Sequence, residues 1–245
     1  MARRNAVVVL LCVAILITGC GDTAGSPPEI PRSQATPTIA PVPSPTLAPR
    51  LRFDIWGVNS YQDAVGSLRF LFEVRNLNDS AVEDVRAQVI LRDAEGHMVG
   101  SQQAYARLDL LGPGDTAPIM IVFFLTAPEF HTYDVEIEAE RADHVQSLLH
   151  PGLHVVDDTG RVGQWVPYEV LGLARNAGDS DAESVSLHIT CYDEEGTVVA
   201  VGSGAPEERT ILAGDSSDFL VSLGAVAGQV SNCKVQVEGL VVTND

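Results

Sequence analysis

Basic residues are scarce in this chain. Lys and Arg number 15 against 33 Asp and Glu, a formal net charge of −18, and so acidic a surface repels phosphate backbones and anionic headgroups. Nucleic acid is therefore excluded as an expected partner. The acidic residues are spread over both halves, which reads as a solvated surface and not as a block built for one ligand. A single lysine, Lys234, stands among fourteen arginines. The apolar stretch at 6–17 covers only about twelve residues, whereas a bilayer span needs about 20. Catalytic signatures are missing too: no Gly-x-Ser-x-Gly, no phosphate-cradling glycine loop, no cysteine set to a histidine at a known spacing. The expectation is a protein with no catalytic residues, no cofactor and no metal.

What the chain does have is an internal repeat with a period of one hundred residues. Arg75-Asn76 returns as Arg175-Asn176, Ser80 as Ser180, Glu83 as Glu183 and Val85 as Val185. Asp93, Glu95, Gly96 and Val99 return as Asp193, Glu195, Gly196 and Val199, and Gly114-Asp115 as Gly214-Asp215. Two copies of one unit are expected, a first domain at 51–141 and a second at 152–245, joined by a polar linker at 142–151 that contains Pro151-Gly152. The unbroken register leads us to expect that 152–245 folds alone.

Ahead of the repeat, 1–19 reads as a signal peptide, with Arg3 and Arg4 before the short apolar core. Ile17-Thr18-Gly19-Cys20 resembles the bacterial lipobox, in which small residues precede a cysteine that becomes the acylated N-terminus. That resemblance implies a lipidated Cys20 carrying more than one acyl chain, such as palmitate, and hence anchorage to the cell membrane on its extracytoplasmic face. A plain secretory signal or an uncleaved anchor is the alternative. The stretch 20–50 follows, with eight prolines between Gly21 and Arg50. It should be a disordered, polyproline-like tether reaching up to about 90 Å when fully extended. A spacer of no selected length fits equally well.

Within each repeat, short alternating runs lie between turn residues. Val85, Ala87, Val89 and Leu91 alternate with polar neighbours, as do Val185, Leu187, Ile189 and Cys191. Asp93-Ala94-Glu95-Gly96 and Asp193-Glu194-Glu195-Gly196 read as tight turns. No helical period is present. Six or seven short strands in each unit predict an all-β fold of two tandem immunoglobulin-like antiparallel sandwiches. Val89-Ile90-Leu91-Arg92-Asp93 and Ile189-Thr190-Cys191-Tyr192-Asp193 resemble the signature of the FxLYD domains of exported prokaryotic proteins. The resemblance implies an envelope-associated immunoglobulin-like module and carries no catalytic residue.

Several residues are candidates for chemistry. His144, His150 and His154 crowd the joint with Asp143, Asp157 and Asp158, yet Pro151-Gly152 lies inside that segment, so polar linker residues are expected there in preference to a metal site. His188 shares a strand face with Ser186 and Thr190, opposite the apolar set, and should be on the surface. The acidic turns, with Asp79, Asp179 and Asp181 nearby, lack the twelve-residue spacing of a calcium loop. Trp56 and Trp165 are not equivalent positions; burial is the commoner role of a sandwich tryptophan, and exposed contact the other.

Four cysteines are present. Cys12 belongs to the signal and Cys20 to the lipid, which leaves Cys191 and Cys233, both sharing strand parity with core residues. A Cys191–Cys233 disulfide is expected in an exported protein, with two buried thiols as the alternative. The repeat puts Leu91 and Tyr133 at the same positions, both able to fill a core. Together these features predict a membrane-anchored lipoprotein that acts as a binding or assembly module for a protein or envelope polymer. The alternative is an accessory component that captures solutes for transport or sensing, which would need a deep pocket between the units.

Overall fold

In the computed structural model, residues 50–124, 128–142 and 148–242 are described, and every regular element among them is a β-strand in antiparallel pairing. Cys20, the tether to residue 49, Asp143 and His144 lie outside the described residues. The first sandwich sets a sheet of β1 (Phe53–Gln62), β2 (Leu68–Asn76) and β6 (Thr116–Phe123) against a sheet of β4 (Met98–Tyr105), β3 (Val82–Arg92), β7 (Thr132–Arg141) and the short β5 (Leu110–Leu111). In the second, β8 (Leu153–Arg161), β9 (Tyr168–Asn176) and β12 (Ser216–Leu223) face β11 (Val198–Gly204), β10 (Ala182–Tyr192) and β13 (Asn232–Val241). The hundred-residue repeat is therefore a repeat of strands. Six of the first sandwich's seven strands recur about one hundred residues later, and β5 survives as a single bridge from Ala182 to Ile211. The described residues form an all-β fold, built of immunoglobulin-like sandwiches.

Alternation decides which side chains fill each sandwich. Phe70, Phe72 and Val74 of β2 meet Val85, Val89 and Leu91 of β3 in the first core. Val170 and Ala174 meet Val185, Leu187 and Ile189 in the second. The asparagine of each Arg-Asn pair closes the same lock in both. Asn76 is fully buried; its Nδ2 donates to the carbonyls of Ser80 and Leu111 at 2.9 Å, and its backbone N–H donates to Asp115 O. Asn176 Nδ2 likewise reaches Ser180 O and Ile211 O at 2.8 and 3.0 Å. A buried amide can persist only with such partners, which gives the repeated asparagine a physical role.

The cysteines lie opposite each other in the β10–β13 register and form a disulfide, Cα to Cα 4.0 Å. Cys191 is fully buried. At the equivalent pair, Leu91 is also buried, but Tyr133 remains half outside with only its ring edge on Phe70, at 4.9 Å between centroids.

The expected linker at 142–151 is not a linker throughout. Leu149 bridges to Leu240, and His150 N–H donates to Gly239 O at 2.8 Å. His150 is a buried residue of the second sandwich. Its Nδ1 accepts from Gly152 N, so Nε2 carries the proton and donates to Ser180 O at 2.8 Å.

Candidate functional site

The place where unlike chemistry converges is the joint between the sandwiches. The outward face of the β1-β2-β6 sheet packs directly on the outward face of the β11-β10-β13 sheet, bringing Leu71, Tyr61 and Met120 onto Tyr192, Val198 and Val201. The backbone is shaped for this contact. β1 carries a bulge between Trp56 and Asn59, and its Gly57 adopts φ 63°. A Cβ on Gly57 would lie 3.0 Å from Gly196 O and 3.0 Å from Val198 Cγ2, so only glycine permits both the backbone conformation and the approach. Beside it the Trp56 ring stacks on Tyr192 at 5.4 Å, and Asn59 Nδ2 donates to Val198 O at 3.0 Å.

At the centre of this seam sits a charge. Glu73, in the middle of the apolar run of β2, has no solvent exposure. Its Oε1 is 2.5 Å from Lys234 Nζ, and Thr116 Oγ1 donates to the same oxygen at 3.1 Å. The chain's single lysine is thus the counter-charge of its one fully buried carboxylate among the described residues. Gln236 Nε2 adds a bond to Thr116 O at 2.9 Å. Burial, followed by the nearby Glu73 charge, pushes the Tyr192 hydroxyl well above its ordinary pKa.

A second polar group lies farther along the seam, where Asp109 N–H donates to both oxygens of Glu238 at 3.1 and 3.0 Å. Burial raises Glu238 to about 7, and the neighbouring Asp109 charge pushes the same way. His188 is 8% exposed and so is not the surface residue its strand parity suggests. The polar face of β10 is covered by the first sandwich, and Thr190 on it is fully buried. Burial, with Arg107 adding to it, lowers His188 to about 4.

Other candidates are dispersed. His154 is exposed on β8, apart from the buried His150, and no group of three His, Cys, Asp or Glu is placed to hold a metal among the described residues. Asp93 Oδ1 is taken up by its own turn, accepting from Glu95 N and His97 N at 3.0 and 2.8 Å; Asp193 Oδ1 does the same with Glu195 N and Thr197 N. Neither tryptophan is buried: Trp56 is 40% exposed at the seam's edge and Trp165, in the β8–β9 loop, 88%. Two sequence signals point to the joint. A glycine inside a strand marks close backbone approach, and the run Leu68–Val74, with Phe70, Leu71 and Phe72 consecutive, departs from alternation as a strand covered on both faces does.

No family model and no curated protein matches the chain. Among solved structures, one that is similar is red sea bream transglutaminase, at 9% identity and a TM-score of 0.27, covering 78% of this chain and 29% of that one. A likeness that slight carries no argument about this chain.

Proposed function

We propose that the protein is a lipid-anchored, extracytoplasmic and non-catalytic module that presents two sandwiches, held in fixed relation, to a protein or envelope polymer. The observation that carries this reading is the joint. A solute-capturing arrangement needs a deep cleft between the units, and here two sheet faces fill that space. What remains at the rims are open grooves: one of about 390 Å³ beside Trp56, Tyr192 and Lys234, and one of about 480 Å³ between Asp115 and Glu238. Ile17-Thr18-Gly19-Cys20 supports the anchor, and the FxLYD-type resemblance supports an envelope role.

Two measurements test the proposal. Cys20→Ala should move the protein from the detergent phase to the aqueous phase; unchanged partitioning rejects the anchor. A photo-crosslinking side chain at exposed Gln102 of β4 should trap a macromolecular partner in intact cells. If small solutes raise the melting temperature and nothing macromolecular is trapped, the solute-capturing reading replaces this one.

A further inference from the structure

The joint leaves Trp56 with more surface than it needs to hold the sandwiches together. One face of the ring stacks on Tyr192, yet the side chain is still 40% exposed where it lines the open groove of about 390 Å³ at the seam's rim. The backbone beside it is fixed, because the β1 bulge and Gly57 press that stretch against Gly196 and Val198. A flat apolar surface is thus offered to solvent in a preset place. Hydrogen-bonding groups stand around it, since Asp193, Glu194, Asn232 and Lys234 line the same groove, with Glu194 and Asn232 exposed. None of Trp56, Tyr192, Glu194, Asn232 and Lys234 recurs at the equivalent position of the other copy, where Val156, Arg92, Ala94, Thr132 and Asp134 stand. The groove belongs to the joint and not to the repeated fold.

We propose that this groove binds a neutral sugar chain, with a pyranose ring laid on Trp56. The inference rests on the reading of the protein as a module for an envelope polymer, and it names that polymer as a glycan. A pyranose presents a face of C–H bonds and a rim of hydroxyls. The C–H face matches the electron-rich face of an indole, and hydroxyls, which both donate and accept, match a rim that mixes carboxylate acceptors with amide and ammonium donors. Other occupants fit the same groups worse. An apolar peptide would desolvate Asp193, Glu194 and Lys234 with nothing to pair them. A basic side chain would meet the Lys234 ammonium, which already holds the Glu73 carboxylate beneath the groove. An anionic polymer is opposed by Asp193, by Glu194 and by a net charge of −18. Because the groove is open, it admits units from within a chain as well as a chain's end.

The test is titration of the full chain in detergent micelles with cellotetraose and chitotetraose, read by calorimetry and by tryptophan emission in a Trp165→Phe background that leaves Trp56 as the sole indole. At least one tetramer should bind with a dissociation constant of about 0.1 to 1 mM, and glucose and N-acetylglucosamine should bind more weakly. Trp56 emission should move to the blue as the sugar displaces water from the ring. Trp56→Ala should weaken binding by about tenfold or more. That change also removes the stack on Tyr192, so Glu194→Ala and Asn232→Ala, at exposed side chains, provide the second measurement. Each should weaken binding by about threefold or more at an unchanged melting temperature. Absence of binding by both tetramers up to about 10 mM overturns the proposal, as does binding indifferent to all three alanine substitutions. Affinity for the single sugars equal to that for the tetramers makes the groove a solute site and overturns it, and so does saturation by tetralysine in place of either sugar. None of these readouts depends on Cys20, so their failure leaves the anchored-module reading standing, and unchanged partitioning of Cys20→Ala leaves the glycan site standing.

Discussion

Replacing Lys234 with methionine removes the counter-charge of Glu73 while keeping most of the apolar stem. The carboxylate then keeps only the Thr116 hydroxyl, with its Oε2 already lacking a partner. Removing one member of a buried ion pair costs about 3 to 5 kcal/mol, because the remaining charge stays desolvated. The lysine side chain is 34% exposed, so water shares in its solvation and the lower figure, about 3 kcal/mol, is expected. For a folded part of this size that corresponds to a fall of about 6 to 12 °C in melting temperature, read by calorimetry. The seam can also open before either sandwich unfolds. In that case Trp56 leaves Tyr192, and its emission shifts to the red while the exposed Trp165 is unaffected. The repeat supplies the repair, since the position of Glu73 holds a leucine in the second copy, Leu173. Glu73→Leu combined with Lys234→Met should return to within about 1 kcal/mol of the wild type, because a buried pair replaced by apolar side chains is often neutral or better. If Lys234→Met changes stability by less than about 0.5 kcal/mol, as a surface substitution does, or if the double variant is as weak as the single, the pair does not hold the joint.

Two further outcomes are expected. Intact-mass analysis of the unreduced, unfolded chain after alkylation should find Cys191 and Cys233 unmodified; replacing both with alanine should cost up to about 4 kcal/mol, the chain entropy of closing a loop across a separation of 42 residues, and two alkylatable thiols would reject the bond. The pH response of the seam combines opposite signs: Glu238, raised from 4.5 to about 7, favours the folded state at low pH and loses that contribution as pH rises to about 7, whereas His188, lowered from 6.5 to about 4, costs stability as pH falls from 6.5. The two slopes oppose each other between about pH 4.5 and 6.5. Glu238→Gln should therefore leave the His188 slope alone, with stability falling more steeply on acidification than in the wild type; parallel melting curves at pH 5 and pH 7 for the two proteins would contradict the burial of Glu238.

How much of this was legible depended on parity. β3 and β10 each carry a bulge near the start, with Asp84 and Ser184 at positive φ, but alternate cleanly from Val85 to Leu91 and from Val185 to Cys191, so those inward residues follow from the sequence, including the apposition of Cys191 and Cys233. β1 and β8 alternate poorly because a bulge in each resets which face a residue occupies, with Gly57 and Asp157 at positive φ. Asn76 and Asn176 announced themselves by repetition, but the carbonyls they hold come from residues thirty-five positions away.

Fold class, the repeat and its register, the disulfide and the acidic surface could all be read from the residues alone, because each depends on local alternation or on counting. Which outward faces stay outward is set by the packing of one sandwich on the other. Alternation separates the two faces of a strand but carries no information on whether a second sheet covers the polar one. So Ser186, His188 and Thr190 read as solvent-facing, and Lys234 as an isolated oddity of composition. Burial of one sandwich face against the other, a contact between residues up to 161 positions apart, turned that lysine into the partner of Glu73.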